Sequence, residues 1–307
     1  MKKVILPVLM SAMFVVPAVS HAEKQEPVKQ IAPKAEQAMK KTGWVKEGNT
    51  WYFYDQNGVK KTGWLQDKEK WYHFDEDGSM VTDWRKIDGN WYYFDSNGYM
   101  ATGWKNINGN WYYFNEDGTM IKDWKNINGK WYYFYEKGSM ATNLNTINGK
   151  TYYFDDNGAM STGVVYFGDP DGLHFGQWRY FNEDGSMARD WKNINGYWYY
   201  FNEDGMMQTD WVEVNGKWYY MIGNGMMQTG WVQVNGWYYM NADGAMQTGW
   251  VEVNGKWYYM NEDGTMKTGW LQKDGNWYYL QSNGAMAVGK HFIDGKWYSF
   301  KDNGVMM

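Results

Sequence analysis

From Thr42 to the C-terminus the alternation of apolar and polar positions recurs at a fixed interval. A short run of alternating aromatic or aliphatic and polar residues breaks at Asn-Gly, and a second run, usually Trp-Tyr-Tyr-Phe, follows it. The stretch Trp104-Lys-Asn-Ile-Asn-Gly-Asn-Trp111-Tyr-Tyr-Phe114-Asn-Glu-Asp-Gly-Thr-Met120 shows one complete unit. Its second Trp recurs at 51, 71, 91, 111 and 131, and again at 178, 198, 218, 237, 257, 277 and 297. A constant step of about 20 residues signals stacked repeats rather than one globular core.

Turn chemistry predicts the form of each unit. Asn108-Gly109 between two such runs is the signature of a two-residue type I′ hairpin. With those two residues as the turn, Asn106 faces Trp111 and Trp104 faces Tyr113. Side chains alternate along a strand, so Trp104, Trp111 and Tyr113 share one face, and Lys105, Ile107, Tyr112 and Phe114 share the other. A lone hairpin is marginal in water, so every unit must bury its apolar side against its neighbours. The expected fold is an all-β solenoid of about thirteen hairpins spanning 42–307.

The pattern falters once, near 144–181. Leu144 and Thr151 stand where neighbouring units carry Trp, and Val164 replaces the next first Trp. Extra residues also lie within the stretch from Val165 to Gln177. The chain thus divides into a first array, 42–143, an irregular joint, 144–181, and a second array, 182–307. Because Asn148-Gly149 and Tyr152-Tyr153-Phe154 persist in the unit without Trp, the Tyr-Phe face is assigned to the fold. The Trp pair is assigned to a ligand.

Ahead of the repeats, residues 1–22 read as a signal peptide. Lys2 and Lys3 precede an apolar stretch from Val4 to Val19, and Ser20-His21-Ala22 forms a small-x-small cleavage site. Residues 23–41 form a polar linker. The mature protein is expected to be exported, with no transmembrane segment. It contains no cysteine, so repeat stacking rather than disulfides must stabilise it.

Composition removes several function classes. One residue in five is aromatic, and the formal net charge is −5, which argues against nucleic acid as a partner. His73, His174 and His291 lack the spacing of zinc ligands. Asp169 and Asp171 read as turn residues rather than a calcium site. The Glu-Asp pairs, such as Glu116 and Asp117, recur with the turns, whereas an acid/base pair would normally occur once. The chain is therefore expected to be neither an enzyme nor a carrier of a metal or cofactor.

The pattern Thr-Gly-Trp-(x)6-Trp-Tyr-Tyr-Phe-Asn-x-Asp-Gly-x-Met, clearest from Thr102 to Met120 and from Thr248 to Met266, resembles the choline-binding repeat of pneumococcal and related surface proteins and phage lysins. The likeness covers Thr42–Met307. It implies a secreted protein held non-covalently on the cell wall by choline or phosphocholine of teichoic and lipoteichoic acids. A quaternary ammonium offers no hydrogen to donate and is recognised by the electron-rich faces of rings, at about 0.5–2 kcal/mol per contact. Many such sites meeting a polymer give firm attachment.

In that family two Trp from one hairpin meet a Tyr and a Met from the next. Carried onto this chain with the second Tyr of each pair, the likeness implies eight boxes. The first array supplies Trp64, Trp71, Tyr93 and Met100; Trp84, Trp91, Tyr113 and Met120; Trp104, Trp111, Tyr133 and Met140; and Trp124, Trp131, Tyr153 and Met160. The second supplies Trp191, Trp198, Tyr220 and Met227; Trp211, Trp218, Tyr239 and Met246; Trp231, Trp237, Tyr259 and Met266; and Trp250, Trp257, Tyr279 and Met286. By the same rule Trp44 and Trp51 meet His73, and Trp270 and Trp277 meet Ser299, so both pairs are read as caps. The pair Trp231 and Trp237 is one residue closer than the others, which counts against its box. Restraint of wall hydrolases or adhesion to host proteins fits a chain made almost entirely of repeats. Carbohydrate binding, as in glucan-binding proteins with related repeats, is the competing function.

Overall fold

The computed structural model describes residues 40–168 and 177–307, and over them the chain is a succession of β-hairpins. Twenty-six strands, from Gly43–Glu47 to Lys296–Phe300, pair in sequence order into thirteen two-stranded antiparallel sheets. The turn residues dictate this. Asn108 and Gly109 both have positive φ, 52° and 85°, the conformation of a type I′ turn. The register that follows sets Asn106 opposite Trp111 and Trp104 opposite Tyr113. Lys68 and Glu69 adopt the same left-handed turn, at φ 47° and 63°, without a glycine.

Each hairpin is tied to the next by main chain as well as side chains. Beyond the second strand the chain folds back, so that Met120 bridges Phe114 of its own hairpin. The Met120 amide then donates to the carbonyl of Trp91 in the preceding hairpin, at 2.8 Å. The equivalent bond recurs along the stack. It continues through the irregular region, from Met187 to Thr151 at 2.7 Å and from Met207 to Trp178 at 2.9 Å. Loss of the Trp side chain at 151 leaves this bond intact because only the carbonyl is used.

The core runs along the stack, with one fully buried large side chain from most hairpins. Phe94, Phe114, Phe134, Phe154 and Phe181 are fully buried, as are Met221, Met240, Met260 and Leu280 at the same position further on. Ile107 and Ala101 close around Phe114, with Trp84, Tyr93, Tyr112 and Met120 packed against that group. Among the described residues no polar or charged residue is buried as a whole. The signal peptide, nearly all of the polar linker, Asp169, Asp171 and His174 lie outside the described residues. Within them no helix is long and apolar enough to cross a membrane, and no group of three or more acidic or histidine residues is placed to hold a metal.

Candidate aromatic cages between hairpins

Each cage begins with the two Trp that the hairpin register sets side by side. The Trp104 and Trp111 ring centroids lie 6.3 Å apart at an interplanar angle of 85°. Trp111 is 45% exposed, so its indole forms an outer wall open to solvent. The next hairpin brings Tyr132 to 4.9 Å from Trp104 and Phe134 to 5.7 Å. Met140 is held at the same junction, because its amide donates to the Trp111 carbonyl at 2.8 Å. Three rings and a thioether thus surround one recess. Where Trp124, Trp131, Tyr152 and Met160 line it, its volume is ≈ 360 Å³.

The expected Trp and Met residues come together at these junctions, but the tyrosine differs by one position. Trp64 meets Tyr92 rather than Tyr93, Trp84 meets Tyr112 rather than Tyr113, and Trp104 meets Tyr132 rather than Tyr133. Likewise Trp124 meets Tyr152 rather than Tyr153, Trp191 meets Tyr219 rather than Tyr220, and Trp211 meets Tyr238 rather than Tyr239. Trp231 meets Tyr258 rather than Tyr259, and Trp250 meets Tyr278 rather than Tyr279. The reason is the stacking. Tyr113 shares a face with Trp104 and packs on it at 5.2 Å within one hairpin. The next hairpin presents its opposite face, where Tyr132 and Phe134 stand.

The same shift reopens both ends of the array. Trp44 meets Tyr72 at 4.6 Å, and with Trp51 and Met80 they line a recess of ≈ 330 Å³. His73 lies instead beside Trp64 of its own hairpin, at 5.0 Å. At the other end Trp270 meets Tyr298 at 4.8 Å, so Ser299 does not break that cage. The shortened pair Trp231 and Trp237 keeps the usual geometry, 6.3 Å and 84°. Its tighter turn, with Val234 donating to the Gly236 carbonyl at 2.8 Å, takes up the missing residue. Among the described residues, ten Trp make this contact with a tyrosine of the next hairpin.

Two electrostatic features went unnoticed in the sequence. Glu183 and Asp184, from the turn two hairpins on, stand at the rim of the Trp124 cage, and Asp243 stands at the rim of the Trp191 cage. These belong to the recurring turn acids that sequence reading assigned to folding alone; their place two repeats after the Trp pair was the available signal. The Ser186 hydroxyl and amide, with the Lys150 ammonium, hold the Asp184 carboxyl down to about 2, so it stays ionised. The second feature is at the first hairpin, where Lys60 occupies the Met position. Its Nζ lies 3.3 Å from the centre of the Tyr52 ring. The tyrosine position that closes each cage is here already covered by a cation from the chain itself.

A family model described as a choline-binding repeat matches residues 41–83, 81–104, 101–143, 141–189, 188–228, 228–266 and 247–291. A second, described as a putative cell wall binding repeat, matches residues 291–306. Among solved structures the chain is similar to choline binding protein F from Streptococcus pneumoniae. Identity is 32% and the TM-score 0.53, over 80% of this chain and 98% of that one. A structure of the same protein in the presence of a peptidoglycan analogue, a tetrasaccharide-pentapeptide, aligns at 31% identity and a TM-score of 0.52, over 86% of this chain and 98% of that one. CbpJ from the same organism aligns at 32% identity and a TM-score of 0.46, over 86% and 99% of the two chains. No curated protein matches the chain.

Proposed function

Since the chain belongs to the choline-binding repeat family, we propose that its inter-hairpin cages bind the quaternary ammonium of choline carried on cell-wall teichoic polymers. The observation that supports this most is the cage itself: a perpendicular Trp pair from one hairpin, a Tyr from the next, and carboxylates at the rim of some cages. Rings attract a cation by their quadrupole, and a nearby carboxylate adds charge attraction without requiring a hydrogen-bond donor on the ligand. One cage holds weakly, whereas a row of them on a multivalent polymer holds firmly. The protein acts as a non-catalytic, exported wall ligand, and by occupying choline it restrains wall hydrolases that need the same polymer. Adhesion to a host protein is the second role its exposed repeats would serve.

Binding of the mature chain, 23–307, to an immobilised quaternary-amine resin tests the cage reading. Retention in high salt, release by free choline and a choline-induced change in Trp fluorescence are the expected results. Passage through the resin with a response to dextran instead would move the function to carbohydrate.

A further inference from the structure

Asparagine followed by glycine occurs thirteen times in the chain. In such a pair the glycine nitrogen can attack Cγ of the asparagine, because no Cβ on the glycine stands in the way. A new N–C bond closes a succinimide ring, ammonia leaves, and water then opens the ring to aspartate or isoaspartate. The reaction needs that nitrogen free, so what each glycine amide is bonded to decides the rate. In six of the second turns, at Asn57, Asn97, Asn157, Asn224, Asn283 and Asn303, the glycine amide donates to the carbonyl three residues before it, at 2.7–3.0 Å.

Six more pairs form the type I′ hairpin tips, where the asparagine is exposed and its φ is 50–53° throughout. There the ladder uses only the residues flanking the turn, so a side chain must hold the glycine amide if anything does. At three tips one does. The Gly109 amide donates to Oδ1 of Asn106 at 3.2 Å, Gly129 to Asn126 at 3.1 Å, and Gly196 to Asn193 at 3.1 Å. At the other three, Thr146, Glu213 and Glu252 stand in that place, and among the described residues nothing accepts from Gly149, Gly216 or Gly255. The thirteenth pair, Asn235-Gly236, lies in the shortened turn, whose glycine has φ 154° against 71–87° at the six tips.

We infer that Asn148, Asn215 and Asn254 are the tips at which the folded chain deamidates first, and that Asn106, Asn126 and Asn193 protect the tips beside them. Every tip must open before the ring can close. A protected tip must in addition break the bond to its asparagine, and a hydrogen bond of ordinary net worth slows the step about fivefold. The two products differ in what the fold tolerates. Aspartate already precedes glycine at the tips of Asp88, Asp274 and Asp294, with φ 49°, 48° and 47°. Isoaspartate routes the main chain through Cβ and Cγ and lengthens the turn. At Asn215 and Asn254 that extra atom falls between the two Trp of one hairpin, Trp211 and Trp218 or Trp250 and Trp257, and disturbs the register that pairs their strands.

Incubation of the folded full chain in mildly alkaline buffer, followed by peptide mapping with fragmentation, gives the rate at each asparagine from the mass gain of its conversion. Asn148, Asn215 and Asn254 should convert about fivefold faster than Asn108, Asn128 and Asn195. In urea, where every turn is open, the six rates should draw together. Glu213→Asn supplies the side chain that Asn193 supplies one hairpin earlier, and it should slow Asn215 to the rate of Asn195. Asn106→Thr should raise Asn108 to the rate of Asn148. Equal rates in the folded chain, no conversion at the three open tips, or a difference that persists unchanged in urea would overturn the inference. So would an Asn215 rate that Glu213→Asn leaves as it was in a variant with the circular dichroism of the parent chain.

Discussion

At the scale of single residues, the two tyrosines of each Trp-Tyr-Tyr-Phe run have different jobs. Tyr132 closes the cage of the hairpin before it, and Tyr133 packs on Trp124 within its own hairpin at 5.2 Å. Tyr132→Leu should therefore lower the number of cholines bound per chain by one in calorimetry, while Tyr133→Leu should leave that number unchanged. The opposite pattern would return the site to the second tyrosine. Alternation within a strand was legible from the sequence, and it put Tyr133 on the same face as Trp124. What alternation cannot show is which face the next hairpin turns towards that Trp. That choice is made by a bond between units, the Met amide to the preceding Trp carbonyl, and nothing in a single period reveals it.

The hairpin is the next scale, and most of it was readable. The Asn-Gly turns, the register and the place of the buried Phe follow from short-range rules, because both strands of a pair are neighbours in sequence. The glycine of the second turn has a longer-range constraint. Gly138 has a φ of 82°, and a Cβ there would lie 2.2 Å from Sδ of Met120 in the hairpin before. Gly138→Ala meets both strain and a clash, so we expect a loss of about 1–3 kcal/mol in urea unfolding followed by Trp fluorescence. If the loss falls below a few tenths of that, Met120 is freer to move than its position implies. The carboxylates at the cage rims were missed for a related reason. Their place in the turn explained them fully until folding brought them alongside a Trp pair two hairpins away.

For the whole molecule, the repeated turn acids also set the response to pH. Asp77, Asp117, Asp184 and Asp263 each accept a hydrogen bond from a Ser or Thr two residues on, which holds each carboxyl below its ordinary range. A group with a depressed folded value contributes stability above its unfolded value, and that contribution disappears as pH falls through the folded one. Thermal stability should thus be level through neutral pH and decline below the usual carboxylate range, around 3.8 for Asp, towards about 2 for Asp184. A midpoint of acid unfolding near pH 6, read by circular dichroism, would contradict this. Burial holds Tyr92 and Tyr132 above their usual value, so these cage walls stay neutral on the alkaline side as well.

The single bond from each Met to the preceding Trp carbonyl has an implication for how such a chain changes over generations. Because that bond uses main chain alone and every junction makes it alike, an in-frame duplication of one repeat adds a hairpin that already docks, and with it one more cage. Deletion of a repeat removes one and lets the flanks rejoin by the same rule. Length is then free to drift, and a divergent unit such as the one with Leu144 and Thr151 in place of its Trp pair can change its side chains while the main-chain bonds on either side keep the stack intact.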